Sequence, residues 1–468
     1  MKDSLYDKLN QELSQQIAMH MPGHKRNASL APYLQGLRAD IDITEIKGFD
    51  NLHAAQGILK EGMDKAAKLW GAHQSFYLVN GSTGGILAGI RALTRRGDKI
   101  MMQRSCHMSV YHSVALYGLN PVYLYSDVMK DCGIEVSLDT ERLLECLDAN
   151  PDARLLVVCS PSYEGILSDL NDIVKAAHER GIKVLVDAAH GAHLGLSSCF
   201  AAGALSSKAD IVVHSLHKTL PSLTQTAIAH AADAKTALSL AEQLDVFQTS
   251  SPSYLLMASI DGCIRLLEHS GKALMTQWQH ALLAFKNSVA DLEHLRILGQ
   301  KELPCGVWAQ DMSKIVIITS DTRISGYELA DMLRNQYGIE TELASDCFVL
   351  AQTGLGDTKQ SLHSLAQALI GIDSGLSRGK PTAAKPLPQT EAVLPAYEAL
   401  DLPYLLTPHS AALDKICAEY LVLYPPGIPL LVPGERISSE VLQMLKGKAA
   451  QVRSKSKNDL GVIATLHL

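Results

Sequence analysis

The chain has 468 residues, of which 47% are hydrophobic and 19% charged, a balance typical of a soluble globular protein with a large core. The formal net charge of −7 at pH 7 disfavours a nucleic-acid-binding or anionic-membrane surface. Nine scattered cysteines without a CxxC pair, a polar start and the lack of a bilayer-spanning apolar run predict a reduced, cytoplasmic protein.

Two polar segments precede the regular pattern. Residues 21–27 (MPGHKRN) place a Pro-Gly turn before three potentially cationic side chains, and residues 42–53 (DITEIKGFDNLH) form an acidic stretch with a glycine break. On composition alone, a solvated arm is the simplest interpretation of the second segment. We therefore treat residues 1–60 as an N-terminal arm.

Short apolar strands then alternate with helical segments. The predicted strands are SFYLVN, DKIMMQR, NPVYLY, ARLLVVCS, KVLVD, ADIVVHS and QTAIAHA. Near-continuous apolar strands linked by helices predict an α/β fold with a mostly parallel sheet buried on both faces. We expect this large domain to span residues 61–310.

Three further segments follow the large domain. SKIVIITS, YELADMLRNQYG and CFVLAQT predict a small α/β domain over residues 311–374. Residues 375–392 are rich in Pro, Ala, Gly and Ser, which is typical of a linker. Residues 393–468 form the C-terminal domain, in which the prolines of YPPGIPLLVPGE (residues 424–435) exclude a helix or central strand.

Four of the predicted strands are followed by polar clusters, namely NGSTGG, SCHMS, DAAHGAH and HSLHK. Ligands of parallel sheets bind beyond the carboxyl ends of the strands. The clusters therefore predict one pocket along that edge.

The last cluster carries a lysine at the end of a buried strand. Lys218 follows the run ADIVVHS, and Thr219 and Pro221 predict that no helix starts immediately. Lysine is rarely buried without a partner, and a lysine with a lowered proton affinity serves as an imine-forming amine. A plain surface lysine at a strand end is the alternative.

The first cluster is a candidate anion site. Ser82 or Thr83, followed by Gly84, is predicted to cap a helix whose free N–H groups suit a phosphate. The segment lacks the P-loop lysine and the GxGxxG spacing, and a plain capped helix explains it equally well. Thr249 and Ser250 in FQTSSPSY form a second candidate phosphate contact before a helix.

The remaining two clusters supply an acid and histidines. Asp187 ends an apolar strand, where a buried carboxylate needs a cationic partner such as a protonated ring nitrogen. A metal site from Asp187, His190 and His193 is the rival, but no further ligand lies close in sequence. His107 could lie flat on a planar ring, or act as a structural hydrogen-bonder. A phosphate cradle, a buried acid, a stacking histidine and an imine-forming lysine together describe pyridoxal 5′-phosphate.

At these residues the sequence resembles the fold-type-I pyridoxal-phosphate enzymes, and more narrowly the compact form of the bacterial ornithine/lysine/arginine decarboxylases. The matching motifs are MPGHK, DITEI with DNLH, LVNGSTGG, CHMSVYH, VDAAHGAH, SLHKTLPSLTQ, FQTSSPSY and YPPGIPLLVPGE. The resemblance implies an aspartate aminotransferase-like seven-stranded sheet with smaller C-terminal domains. It also implies decarboxylation of a basic amino acid in polyamine-related metabolism, by a homodimer or higher oligomer with shared sites.

The resemblance also implies roles for individual residues. Lys218 is implied as the Schiff-base lysine, Asp187 as the partner of the pyridine nitrogen, and His107 as the residue stacked on the ring. His190 is implied near the ring hydroxyl, and Thr249 and Ser250 at the neighbouring subunit's phosphate. The implied phosphate contacts within one subunit are Ser82, Thr83, Gly84, Ser215 and His217.

Two positions depart from the family pattern and bear on the substrate. Lys415 stands where we expect arginine, and lysine cannot make a bidentate carboxylate contact. Glu164 stands where some members carry an aromatic residue. Candidate carboxylates for the distal cation of a basic substrate are Glu164, Asp50 and Glu45, the last two from either subunit.

Two other interpretations remain open at this point. The same cofactor also serves aminotransferases and carbon–sulfur lyases, and one scaffold hosts many chemistries. An aminotransferase typically uses an arginine clamp for the substrate carboxylate, and no such arginine is identified here. The second interpretation is a regulatory homologue that binds the cofactor without catalysis.

Overall fold

The computed structural model describes residues 4–13, 16–27, 29, 32–299, 303–379, 386–423, 427–448, 452–455 and 461–467. The predicted linker and the YPPGIP motif therefore lie partly outside the described residues. Within these ranges, no helix combines the length and apolar character needed to cross a bilayer.

Helices and strands alternate through most of the chain. The helices are α1 (Leu5–Glu12), α2 (Pro32–Gln35), α3 (Ile58–Trp70), α4 (Gly81–Leu93), α5 (Met108–Tyr117), α6 (Thr140–Ala149), α7 (Leu170–Glu179), α8 (Leu216–Thr219), α9 (Ala234–Phe247), α10 (Tyr254–Ser288), α11 (Gly326–Tyr337), α12 (Lys359–Asp373), α13 (Ala396–Asp401) and α14 (Ser439–Lys448). The strands are β1 (Gln74–Leu78), β2 (Lys99–Gln103), β3 (Asn120–Leu124), β4 (Ala153–Cys159), β5 (Ile166–Leu167), β6 (Lys183–Asp187), β7 (Ile211–Ser215), β8 (Ala227–Ala231), β9 (Arg296–Ile297), β10 (Ala309–Gln310), β11 (Lys314–Ile318), β12 (Leu343–Ala344), β13 (Phe348–Gln352), β14 (Tyr404–Pro408), β15 (Leu421–Leu423), β16 (Ile428–Leu431), β17 (Val452–Arg453) and β18 (Val462–Leu466).

The central element is a seven-stranded sheet in the order β1-β8-β7-β6-β4-β2-β3. Its neighbouring strands run parallel except at β8, which is antiparallel to both β1 and β7. Each of the seven predicted apolar runs contributes one of these strands. The prediction of a mostly parallel seven-stranded sheet is confirmed.

The strands are apolar throughout because both faces of the sheet are covered. In β4, Leu155 and Val157 join one core cluster, whereas Leu156 and Val158 join the cluster on the opposite face. Side chains alternate across a strand, so burial of both faces requires apolar residues at consecutive positions. On one face, Gly85 lets α4 approach closely, since a Cβ there would lie 2.5 Å from a Leu78 methyl carbon.

Two smaller regions complete the fold. The first pairs a four-stranded sheet, β12-β13-β11-β9, with α11 and α12, and the 35-residue helix α10 leads into it from the large sheet. The second contains the β14-β18 pair and the sheet β16-β15-β17.

The N-terminal segment packs against the helices of the large sheet. The interpretation of residues 42–53 as a solvated arm is therefore wrong. Ile41, Ile43 and Phe49 are buried in the main core cluster. The Asp50 carboxylate accepts hydrogen bonds from the N–H groups of Gln56 and Gly57, at 2.9 and 2.8 Å. Acidic composition alone could not reveal this packing, because the partners of Asp50 are backbone N–H groups and those of the apolar side chains lie on other elements.

A buried ion pair joins the C-terminal region to the large sheet. Arg104, which follows β2, donates to the Pro429 carbonyl at 2.7 Å and lies 3.3 Å from Glu435 Oε2. Both charged side chains are 2% exposed. Glu435 also accepts hydrogen bonds from Val432 N and Thr390 Oγ1, at 2.8 and 2.7 Å.

Replacing Arg104 with methionine should therefore destabilise the protein. The substitution leaves the Glu435 carboxylate buried without its cation, which costs about 3–5 kcal/mol in the free energy of unfolding. Urea denaturation followed by circular dichroism measures this loss. Arg436→Met is the matched control, because Arg436 pairs with Glu391 at the surface, where ion pairs contribute little. Equal denaturation midpoints for the two variants would show that the buried pair does not stabilise the fold.

Candidate active site

The polar clusters meet along one edge of the large sheet. Cys159 at the end of β4 pairs with Asp187 at the end of β6, and Asp187 pairs with Val213 in β7. The Gln103 side chain at the end of β2 accepts a hydrogen bond from Cys159 N at 2.6 Å. Because these parallel strands end at the same level, the segments that follow them share one cleft.

Asp187, Lys218 and His107 lie within electrostatic range of one another at this edge of the sheet. Burial lowers the pKa of Lys218, and the negative charge of Asp187 opposes that shift. Desolvation also lowers the pKa of His107, with Asp187 acting in the opposite direction and Lys218 in the same direction. Such mutual effects require the three groups to be close together. Asp187 Oδ1 accepts one hydrogen bond, from Ala189 N at 3.1 Å.

His107 begins α5 as its N-cap residue. Its Nδ1 accepts a hydrogen bond from Ser109 N at 3.2 Å, which fixes the orientation of the ring. The side chain is exposed in the cleft. The His107 imidazole therefore caps the helix through one edge of its ring, and a planar ligand could stack on one of its faces.

Lys218 lies in a single helical turn, α8, so the prediction that no helix follows β7 immediately is wrong. The turn ends at Leu220, directly before Pro221, and this proline limits the helix to four residues. His217 Nδ1 lies 2.9 Å from the Thr226 carbonyl oxygen. The turn holds Lys218 at the strand end, where its side chain reaches the cleft.

The helix at the predicted anion site begins earlier in the chain than expected. The N-cap of α4 is Asn80, and it makes no side-chain capping hydrogen bond, so the prediction of Ser82 or Thr83 as N-cap is wrong. Ser82, Thr83 and Gly84 instead lie in the first turn; Gly84 N donates to the Asn80 carbonyl at 3.3 Å, whereas the N–H groups of Ser82 and Thr83 have no intrahelical partners. Gly81, at φ +69°, makes the left-handed turn from β1 into the helix.

Ser215 gives the anion site a further polar group. Its Oγ is buried and has no hydrogen-bond partner within the described residues. A buried hydroxyl group normally has a partner, so a ligand oxygen would satisfy it. The position at the end of β7, beside α8, agrees with the phosphate contact implied for Ser215 and His217.

Two glutamines that the sequence analysis missed form hydrogen bonds to the loop between β1 and α4. The Gln225 side chain donates from Nε2 to the Val79 carbonyl at 2.6 Å. The backbone carbonyl of Gln225 accepts a hydrogen bond from Gly81 N at 3.0 Å. Gln248 Oε1 accepts from Val79 N at 2.9 Å. The loop before α4 is thereby held from both sides, although neither glutamine stands in a distinctive sequence pattern.

A second lysine, also missed, lies next to the first. Lys314 in β11 is 2% exposed, and burial lowers its pKa to about 7. Its Nζ lies 2.8 Å from His190 Nδ1, while Lys218 Nζ lies 2.9 Å from His190 Nε2. Gly165 makes room for it, since a Cβ there would lie 2.6 Å from Lys314 Cγ. A lysine opening the apolar run KIVII was the available signal, because buried lysines are rare.

Glu342 and Glu164 lie within electrostatic range of Lys314, and Glu135 lies within electrostatic range of Glu164. Glu164 accepts from Ser162 Oγ at 3.0 Å, and Glu135 accepts from Ser105 Oγ at 2.5 Å. Burial, together with the charge of the nearby Glu164, raises the pKa of Glu135 to about 7. Glu342, which accepts from a tyrosine hydroxyl, acts on the pKa values of both lysines. Among these three, the sequence analysis named Glu164.

The other predicted substrate residues lie in different surroundings. The backbone amides that bind Asp50 commit its carboxylate to capping α3, and they hold its pKa below the usual value although desolvation raises it. Glu45 Oε1 is buried without a partner in the described part of the chain, and its charge acts on Tyr254. Lys415 is exposed, with backbone hydrogen bonds to Ala412 and Ile437. Within one chain, none of these three acts on the pKa of Lys218 or Lys314, and a contribution of Asp50 or Glu45 from a second subunit stays a prediction.

Thr249 and Ser250 are exposed between α9 and α10. His53 of the DNLH motif lies against them, with Nε2 2.9 Å from the Thr249 carbonyl and Nδ1 2.8 Å from Asp245. The two motifs therefore meet at one exposed surface, where the Thr249 hydroxyl accepts from Ser251 N at 3.2 Å.

The rival metal triad does not assemble. His193 Nε2 lies 3.2 Å from Asp311 Oδ1, and its ring packs against Phe200 and Trp278. His190 lies between the two lysines instead. No group of three or more metal-ligating side chains occurs among the residues that the structure describes.

Comparison with solved structures supports the fold. The constitutive lysine decarboxylase of E. coli superimposes with a TM-score of 0.82 at 17% identity, covering 99% of this chain and 81% of that one. At this identity the likeness establishes the architecture alone. Fold-type-I enzymes of other activities, including an alanine–glyoxylate aminotransferase from Nostoc, match with a TM-score of 0.54 over 67% of the chain.

Comparison of sequences shows the family. Residues 4–305 match the major domain of Orn/Lys/Arg decarboxylases, and residues 406–453 match their C-terminal domain. An arginine decarboxylase of Bacillus subtilis is 31% identical over 451 residues, which cover 93% of this chain and 91% of that protein. A lysine decarboxylase of Pseudomonas aeruginosa is 25% identical over 296 residues, 58% of this chain and 39% of that protein. The chain therefore belongs to the Orn/Lys/Arg decarboxylase family of amino-acid decarboxylases.

Proposed function

We propose that this protein decarboxylates a basic L-amino acid, namely lysine, arginine or ornithine, with pyridoxal 5′-phosphate attached to Lys218. The observation that carries the proposal is a lysine amine at the sheet edge, near Asp187 and 2.9 Å from His190, with a pKa lowered by burial. The similarity to arginine and lysine decarboxylases supports it. The amines formed from these substrates are polyamines or their precursors.

The residues of the cleft fit this cofactor. The first turn of α4 and the unpartnered Ser215 hydroxyl offer donors for a phosphate. Asp187 offers a carboxylate for a protonated pyridine nitrogen, and the exposed His107 ring offers a stacking face. Residues assigned to the cofactor are Ser82, Thr83, Gly84, His107, Asp187, His190, Ser215, His217 and Lys218. When bound, pyridoxal 5′-phosphate supplies an electron sink for the electron pair left by loss of carbon dioxide.

Lys218 and Asp187 perform the protein's share of the chemistry. The lowered pKa of Lys218 makes its neutral amine available as a nucleophile toward the aldehyde. Asp187 holds a proton on the ring nitrogen because a nearby anion favours the cationic form. When the substrate amine displaces Lys218, the released amine takes up the proton lost by the substrate's ammonium group, and after carbon dioxide leaves, Lys218 delivers this proton to the substrate Cα.

Glu164 and Glu135 form the part of the cleft suited to a basic side chain. Burial raises the pKa of Glu164, and each glutamate lies in the electrostatic range of the other. Two buried acids side by side are unfavourable while both are charged. A cation on the substrate's distal end would relieve this repulsion, whereas a neutral side chain would not.

Replacing either Glu135 or Glu164 with glutamine should raise KM for the basic substrate by about 10- to 100-fold, the loss expected for one charge-assisted hydrogen bond. Because a carboxyl with a pKa of about 7 is neutral below that pH, substrate binding should also tighten as pH rises through 7, and Glu135→Gln should flatten this dependence. Steady-state kinetics from pH 6 to 8 measure both effects. Glu61→Gln, in the first turn of α3, is the control. An unchanged KM and pH profile in both variants would exclude these residues from substrate recognition.

We further propose that the site is shared between subunits. Exposed hydroxyl groups at Thr249 and Ser250, packed against the DNLH motif, are suited to the phosphate of a neighbouring subunit. This arrangement requires at least a dimer. Sedimentation of Thr249→Arg, beside the native protein, tests whether this surface supports assembly.

Incubation of the reconstituted protein with lysine, arginine, ornithine and a neutral amino acid, each separately, tests the proposed function. We expect carbon dioxide and one amine from a basic amino acid, identified by mass spectrometry. With cysteine as the neutral amino acid, release of a keto acid without sulfide would indicate an aminotransferase, and release of sulfide a carbon–sulfur lyase. Either result, or no product at all, would overturn the proposal.

A further inference from the structure

The large sheet holds the helical turn of Lys218 at its start. The Thr226 carbonyl, directly before β8, accepts a hydrogen bond from Leu216 N at 3.1 Å. A helix leaves its last carbonyl groups without partners of its own, and a helix of four residues has little else to offer them. The carbonyl groups of Lys218 and Thr219, at the end of α8, therefore need partners from other elements.

The end of β13 supplies both partners. Gln352 Nε2 donates to the Lys218 carbonyl at 2.6 Å, and Leu355 N donates to the Thr219 carbonyl at 2.9 Å. Gly354 allows this approach, because a Cβ there would lie 3.2 Å from the Thr219 carbonyl oxygen. The four-stranded sheet thus caps the turn that carries Lys218, although Gln352 lies 134 residues further along the chain.

The Gln352 side chain is itself held in one orientation. Lys314 lies opposite Gln352 where β11 pairs with β13, and Lys314 Nζ donates to Gln352 Oε1 at 2.7 Å. A carbonyl oxygen can only accept, so the amide nitrogen must face the Lys218 carbonyl whatever the charge of Lys314. The amide group of Gln352 therefore connects β11 to the backbone of α8.

A neighbouring side chain docks the same segment without contacting α8. Trp278 Nε1 in α10 donates to Thr353 Oγ1 at 3.1 Å, and Thr353 Oγ1 donates to the Ser313 carbonyl at 2.8 Å. Docking of β13 and binding of the Lys218 carbonyl are therefore separate tasks of adjacent residues. This separation provides a matched control for Gln352.

We propose that Gln352 is a positioning residue: its amide fixes the backbone of Lys218, so that the lysine amine meets the aldehyde of pyridoxal 5′-phosphate from one direction. The lysine side chain turns about single bonds, and the reach of its amine depends on where the backbone is held. A group that is held in its bound geometry beforehand loses less conformational entropy on attachment. The inference rests on the proposed attachment of the cofactor to Lys218.

Two substitutions remove the N–H donor of Gln352 in different ways. Gln352→Met has a similar length and no polar hydrogen, whereas Gln352→Glu keeps an acceptor for Lys314 and adds a charge. An effect shared by both variants therefore comes from the lost donor. We expect each to weaken attachment of the cofactor about tenfold, the loss for one hydrogen bond whose acceptor stays unpaired. The visible circular dichroism per bound cofactor should also fall, because the attached ring samples more orientations.

The experiment measures binding and orientation of the cofactor rather than turnover. Cofactor-free protein is titrated with pyridoxal 5′-phosphate, the yellow absorption band gives the dissociation constant, and visible circular dichroism gives the orientation. Far-ultraviolet circular dichroism in urea shows that each variant is folded and gives its midpoint. Thr353→Val is the control, which should lower the urea midpoint and leave both cofactor measurements native.

The outcomes separate this inference from the proposed function. If the native protein forms no yellow band, or if Lys218→Ala still forms it, the proposed function is wrong. If the band forms through Lys218 but either folded Gln352 variant keeps the native dissociation constant and circular dichroism, only the role of Gln352 is wrong. An equal loss in Thr353→Val would also refute that role, because the effect would then come from docking of β13 in general.

Discussion

Lys218→Ala should lose the yellow absorption band and more than about 10³-fold in turnover, because no other group replaces a covalent catalyst that also moves the proton at Cα. Lys218 is the amine at the end of β7, held by a single helical turn and by His190. Its removal leaves the phosphate contacts of α4 intact. We therefore expect weak, non-covalent cofactor binding without catalysis.

Absorbance spectra and amine production, measured on the same preparation, check this result. Lys175→Ala is the matched control, because Lys175 is exposed on α7 and should leave both readouts unchanged. An Lys218→Ala protein that keeps the band and produces amine would assign the chemistry to a different lysine.

Asp187→Asn should reduce turnover by about 10²–10⁴-fold, the range expected when a group that holds a catalytic proton is lost. Asparagine has the same shape and can still accept from Ala189 N, so the local fold should persist. It has no charge to stabilise a protonated ring nitrogen. The cofactor should therefore bind with its band retained, while the bound ring becomes a poor electron acceptor.

Steady-state kinetics combined with cofactor titration separate these two effects. Asp172→Asn, in the exposed first turn of α7, is the control. Loss of cofactor binding in Asp187→Asn without any loss of turnover per bound cofactor would restrict Asp187 to a structural role.

The large sheet could be predicted because its strands are apolar on both faces. Runs such as ARLLVVC and IVVHS are short, apolar at consecutive positions and contain β-branched residues, which is typical of buried strands, and the polar residues that follow them mark the edge with the site. The antiparallel direction of β8 could not be predicted in this way, because it depends on the short connection from α8. The exact start of α4 was also missed, since Gly81 rather than a serine makes the turn.

Residues of the candidate site also differ in whether the sequence alone could predict them. Asp187, His107 and Lys218 stand at strand ends and carry a local sequence signal. Lys314 lies 124 residues from His190 in the chain, so only tertiary contact brings the two together. Asp50 shows the converse case, because an acidic loop suggested a substrate carboxylate, whereas within this chain backbone amides at the start of α3 bind it.

The central claim is that Lys218, and not its buried neighbour Lys314, carries the cofactor. Reduction of the pyridoxal 5′-phosphate complex with sodium borohydride makes the attachment permanent, and peptide mass spectrometry then locates it. The account predicts a phosphopyridoxyl group on Lys218. A modification on Lys314, or on no lysine of the cleft, would contradict it.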